Sequence, residues 1–234
     1  MVSRFSHIIS AFFTLAILLS ACGNPQAQTI SMQNVSTAPN GVVPDTLATI
    51  EAQAEDIIDF VPGGEWSRVN SDILAIEKAW EIYTPQATND GASQALQDGF
   101  TEALSKLKST AASQDKIGTL QASNDLSAVV VELFDLYHPL IPADIGRLDV
   151  LERQIILDVE NQNFTAGTKT FAKTITVWEQ VKPSILAHSG QSVVEQFDNS
   201  LAVQSTALKA QDGSTLIDEA RNGLEIVDAM ESLY

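Results

Sequence analysis

Few side chains in this sequence have types and spacings that could do chemistry, and the densest group lies in RLDVLERQIILD, residues 147–158. Asp149 and Arg153 stand four apart and Glu152 falls three after Asp149, so on a helix the three project from neighbouring positions. Such a trio can form a buried polar network or a contact between two helical units. On a solvated face the Asp149–Arg153 pair is an ion pair worth about 0.3–0.5 kcal/mol, and that is the expectation from the sequence. Acid–base catalysis by carboxylates alone needs two of them converging in a cleft with separated pKa values, which linear spacing does not supply. The nearest approach to the Glu-x-x-His pair of a di-iron bundle is Asp135-x-x-His138, but His138 precedes Pro139 and reads as a group at a helix end. His188 lies in a loop beside Gly190, far from His138 in sequence, so no catalytic triad or zinc-hydrolase set can be assembled from spacing. There is no CxxCH, no glycine-rich phosphate loop and no GxSxG elbow. No catalytic residue, metal ligand or cofactor is assigned, and the expectation is a protein that is not an enzyme.

The sole cysteine, Cys22, excludes an internal disulfide and any Cys/His zinc arrangement. It follows a short leader in which Arg4 precedes the apolar run IISAFFTLAILL, residues 8–19. That run is too short to cross a bilayer comfortably as a helix and has the form of a secretory signal. Leu19-Ser20-Ala21-Cys22 resembles the lipobox of bacterial lipoproteins. The resemblance implies cleavage before Cys22, diacylglyceryl modification of its sulfur, and a lipid anchor on the extracytoplasmic side of a membrane in the bacterial cell envelope. With Gly23 rather than Asp next, it implies the outer membrane in a Gram-negative host. Several acyl chains anchor far better than one, since each buried methylene adds about 0.8 kcal/mol. Residues 1–21 are thus expected as signal peptide. Residues 22–43, polar and rich in Asn, Gln, Ser and Pro, are expected as a flexible tether reaching roughly 25 Å.

Thirty acidic residues against 13 Lys plus Arg give a formal charge of -17. That surface repels nucleic acid, whose binding depends on Lys and Arg at the phosphates, and it attracts cations or basic partners. The carboxylates are spread along the chain rather than gathered in a DxDxDG calcium loop.

The body repeats itself. PDTLATIEAQAEDIIDFV from Pro44 overlies PADIGRLDVLERQIILDV from Pro142, an offset of 98 residues. Trp66 meets Phe164, Ile73 meets Phe171 and Trp80 meets Trp178. Further on the offset becomes 97, pairing Phe100 with Phe197, Val130 with Val227 and Tyr137 with Tyr234. An internal duplication accounts for this. The heptad spacing of Trp66, Ile73 and Trp80, and of Phe164, Phe171, Trp178 and Ile185, puts these aromatics on one helix face. That face is expected as a bundle core, with a ligand-stacking or haem-facing role as the sharper alternative. Breakers at VPGGE, TPQATNDG, STAASQD, HPLIPA, AHSGQ and QDG predict helices near 45–61, 66–84, 92–110, 116–137, 143–161, 164–182, 191–210 and 214–233. The expected fold is all-α: two antiparallel four-helix bundles in tandem, residues 44–138 and 139–234. In this the chain resembles the imelysin-like periplasmic lipoproteins, which pair duplicated bundles behind an export signal. Their GxHxxE motif is missing, because His188 is followed by Ser189, Gly190 and Gln191, so none of that family's sites is carried over.

These features point to a membrane-anchored helical binding or assembly module that meets a protein or small ligand in a groove between helices. The alternative is an acidic protein that handles cations such as iron or copper.

Overall fold

The computed structural model describes residues 41–234, and every regular element among them is helical. The expected leader, Cys22 and nearly all of the expected tether lie outside the described residues. The helices are α1 (Asp45–Gly63), α2 (Trp66–Ala87), α3 (Gln94–Ala112), α4 (Lys116–Phe134, continued by a 3-10 turn at Asp135–Tyr137), α5 (Ala143–Glu160), α6 (Phe164–Ala187), α7 (Gln191–Ala210) and α8 (Gly213–Glu231).

The same local chemistry starts corresponding helices in both copies. Pro44 and Pro142 stand immediately before α1 and α5, where a fixed φ and a missing N–H cost nothing. Asp115 and Asp212 cap α4 and α8, accepting from the backbone N–H of Gly118 at 3.0 Å and of Thr215 at 3.2 Å. Ahead of each cap, Gln114 and Gln211 turn the chain through the left-handed region at φ 55° and 53°. After α1 that conformation falls to Gly64 at φ 72°, where no Cβ resists it.

Two helices outrun the sequence expectation. The prolines predict ends near residues 84 and 182, yet α2 continues through Pro85 to Ala87 and α6 through Pro183 to Ala187. Both prolines sit on the solvent side near a helix end, where the carbonyl left without its donor belongs to an exposed residue, Glu81 or Glu179, so that solvent can take the place of the lost bond.

α1 packs on α2 and α4, and α3 packs on the same two, closing one four-helix bundle; α5 to α8 close a second in the same order. The bundles meet where α4 lies against α5. Arg147 pins that joint, bonding Glu132 at 2.9 Å, Asp144 at 2.6 Å and also Asp135. Gln121 and Gln154 exchange amide hydrogen bonds of 2.7 and 3.0 Å, and Asn124 donates to the Val150 carbonyl at 3.1 Å. Among the described residues no helix is long and apolar enough to cross a membrane.

The two interiors differ. The first bundle holds one continuous apolar core from Leu47 to Tyr137, in which Trp80 stacks on Phe100 with ring centroids 3.8 Å apart. The second holds two separate apolar clusters, one around Trp178 and Phe197 and one around Ile155, Leu208 and Leu216. Among the described residues both bundles also bury polar side chains, Thr110, Thr119, Ser123, Asn124 and Ser127 in the first and Glu152, Thr170, Thr174, Ser200 and Gln204 in the second, and Glu152 is the carboxylate among them.

Candidate functional site

The joint between the bundles is built from α1, α4, α5 and α8, of which α1 and α5 are repeat equivalents, as are α4 and α8. Two cavities open there, of about 500 and 420 Å³. Glu55, Asp149 and Arg153 line both and so stand between them. The lining of the larger cavity adds Glu51 and Glu231 to the shared trio and also includes the apolar Val131, Phe134, Leu140, Ile141 and Pro142 and the ring of Tyr234.

Repeat geometry explains the charges. Glu51 and Asp149 are equivalent positions on α1 and α5, and so are Glu55 and Arg153. Arg153 bonds both Asp149, on its own helix, and Glu55 across the joint. Exchanging a carboxylate for a guanidinium in one copy turns what would be a like-charge contact into an ion pair. Even so, four carboxylates crowd around one arginine. Burial, followed by the charge of Glu55, pushes the Glu51 carboxyl up to about 8. Burial also raises Asp149 to about 7, against the pull of Arg153. Glu231 is shifted upward by burial and by Glu55. Burial works against the charge of Arg153, but Asp149, Glu55 and Glu51 outweigh it and hold the guanidinium ionised. Burial and crowding thus both favour the protonated forms of Glu51 and Asp149.

Neutral polar groups complete the lining. Ser127 borders the larger cavity and Asn124 the smaller, both almost wholly buried. Among the described residues Ser127 Oγ and Asn124 Oδ1 have no hydrogen-bond partner. At the corresponding places α8 carries Leu224 and Arg221, so these two orphan groups belong to the first copy alone.

The structure divides the trio expected from the sequence. Asp149 and Arg153 are not a surface pair: their side chains are 13% and 14% exposed, and their third partner is Glu55. Glu152 is separate from them, turned into the second bundle, where it accepts from Gln204 Nε2 at 2.9 Å. Burial raises its carboxyl to about 8. Its position is legible in the sequence: Ile145, Leu148, Ile155 and Val159 form the core stripe of α5, and Glu152 falls in it where the first copy has Ala54.

The candidate aromatics lie within the bundles. Trp80 and Trp178 are buried, Trp178 donating to Asp198 at 2.8 Å, while Trp66, Phe164 and Phe171 are half-buried against the cores. None of the five lines either cavity of the joint. Asp135 bonds Arg147, His138 is an exposed residue at φ 47°, and His188 Nδ1 lies 3.0 Å from the Ser184 carbonyl beside the Tyr234 ring. Among the described residues no three His, Cys, Asp or Glu side chains are placed to share a metal ion. Glu51, Glu55, Glu231, Asn124 and Ser127 escape a reading of the sequence because no linear spacing joins α1, α4 and α8. The repeat offset is the one available signal, since it pairs Glu51 and Glu55 with Asp149 and Arg153.

Comparison of the chain with protein families, with curated proteins and with solved structures finds no match.

Proposed function

We propose that this protein is a lipid-anchored, extracytoplasmic binding module whose ligand enters the larger cavity of the joint and presents an organic cation on an apolar body. The observation that carries the reading is the mixed lining: Glu51, Glu55, Asp149 and Glu231 around a single arginine share a cavity of about 500 Å³ with Phe134, Leu140 and Tyr234. A cation there relieves mutual repulsion among half-buried carboxylates, and the apolar part of the lining removes the ligand body from water. The unpartnered Ser127 hydroxyl adds a polar contact for the ligand. Leu19-Ser20-Ala21-Cys22 supports the anchored, envelope location.

Titration calorimetry tests the site on the full chain in detergent, with phenyltrimethylammonium as a probe that cannot itself release a proton. Run at pH 7.5 in buffers of different ionisation enthalpy, it should show saturable binding with release of a fraction of a proton or more per site. Binding should weaken at least tenfold in Glu51→Gln/Asp149→Asn. Absence of saturation at millimolar probe, or binding unchanged in the double variant, removes the reading. Intact mass of the membrane-extracted protein tests the anchor separately, and an unmodified Cys22 sulfur would sink that part alone.

A further inference from the structure

The polar layer of the second bundle plays no part in the cleft. We propose that Glu152 and Gln204 form a buried proton-binding site, a carboxylic acid joined to a primary amide by two hydrogen bonds, with a proton taken from water on Glu152 Oε1 and donated to Gln204 Oε1. One of the two bonds is already explicit: Gln204 Nε2 donates to Glu152 Oε2 at 2.9 Å. The atoms left over are Glu152 Oε1 and Gln204 Oε1, both buried, both acceptors and both without a partner among the described residues. One proton supplies the donor that satisfies the two together. An ionised carboxylate leaves both orphaned and buries a charge with no counter-ion, which the folded state strongly disfavours.

The surroundings favour the neutral acid. The charges acting on Glu152 are Asp149 on α5 and Glu219 on α8, both negative. The buried polar side chains of α6 and α7 are Thr170, Thr174, Ser200 and Gln204, none of them ionisable. On α8 the residue against the carboxyl is Gly223, where a Cβ would come within 2.9 Å of Glu152 Cδ and Oε2. The first copy has none of this: Ala54, Ile76, Leu107 and Leu126 occupy the equivalent places, all buried and apolar. With burial holding the folded carboxyl up to about 8 against an ordinary 4.5, the folded chain binds a proton that the unfolded chain has released. The stability this contributes is complete below pH 4.5 and is lost as pH rises through about 8.

Infrared spectra of the full chain test the site directly. At pH 6.5 a protonated-carboxyl band should be present that Glu152→Gln lacks, and it should vanish with a midpoint near 8. Glu152→Gln keeps both hydrogen bonds as an amide pair but cannot titrate. The wild-type unfolding constant should therefore rise against that of the variant by up to tenfold per pH unit, levelling off above about pH 8. If the variant does not fold, hydrogen exchange of the α7 amides in the unaltered chain, corrected for intrinsic rates, should lose protection over the same range. An ionised Glu152 at pH 6.5, superimposable pH profiles for wild type and variant, or α7 protection independent of pH would each overturn the proposal.

Discussion

Where the first bundle buries Ala54, Ile76, Leu107 and Leu126, the second buries Glu152, Thr174, Gln204 and Gly223. The helices, the caps at Asp115 and Asp212, and the left-handed turns at Gln114 and Gln211 are shared, so the outline of the unit does not depend on that layer. What changes is the chemistry of that one layer. An apolar layer contributes transfer free energy and is indifferent to pH. A polar layer loses that contribution, must satisfy its own hydrogen bonds, and gains sensitivity to protonation. The joint shows the same divergence, where Glu55 of one copy meets Arg153 of the other. One scaffold thus carries an apolar layer in one bundle and, at the equivalent level of the other, a polar layer around a buried carboxyl.

The harshest test makes the first bundle imitate the second. Leu107→Gln puts an amide beside Ala54, Ile76 and Leu126 with no acid to pair with. It loses the burial of leucine and leaves polar atoms unsatisfied, a cost of about 3–5 kcal/mol. Adding Ala54→Glu and Leu126→Gly rebuilds the acid–amide layer and should recover about 1 kcal/mol or more at pH 5. Urea unfolding measures both. A loss under about 1 kcal/mol for Leu107→Gln alone would show that the position tolerates polarity in either copy, and the contrast between the bundles would lose its meaning.

Gly223→Ala probes the same layer from the other side. Alanine in a helix interior is ordinarily worth about 0.5–1 kcal/mol over glycine, but here the new methyl meets Glu152 Cδ and Oε2 at 2.9 Å and Cγ at 3.2 Å. The carboxyl must shift off its bond to Gln204, and the net loss should be about 1–3 kcal/mol. In a Glu152→Ala background the obstruction is gone and the sign should reverse, Gly223→Ala now stabilising. Equal effects in the two backgrounds would mean that the glycine does not serve the carboxyl.

Much of this architecture is legible along the chain, because caps, breakers and heptad stripes are local and the duplication writes each of them twice. The helix ends expected at Pro85 and Pro183 fall short of the real ones, since whether a proline stops a helix depends on whether water can reach the freed carbonyl, which is a tertiary fact. Asp149, Glu152 and Arg153 stand out as a trio but are not sorted by their spacing, because intervals of three and four make residues neighbours on a helix without saying which bundle face each enters. Comparing Glu152 with Ala54 sorts it inward, and Gln204 in the Phe197, Leu201, Leu208 stripe of α7 is then its natural partner. The orphan Ser127 and Asn124 follow no such pattern, and only the packing of α4 on α5 gives them a place at the cavities.

The smallest expected effect localises the difference within the layer. Thr174 is buried there as a polar residue, but its hydroxyl donates at 3.2 Å to the carbonyl of Thr170, an acceptor within the same helix, and makes no bond to Glu152 or Gln204. Thr174→Val keeps the shape, removes that bond and places a methyl in a buried position, two contributions of opposite sign and about 1 kcal/mol each. Stability should change by less than about 1 kcal/mol, and its pH dependence should match the wild type. If instead Thr174→Val flattens the pH profile as Glu152→Gln is expected to, the proton is held by a wider network through α6, and the division between the bundles lies in the whole layer rather than in one acid–amide pair.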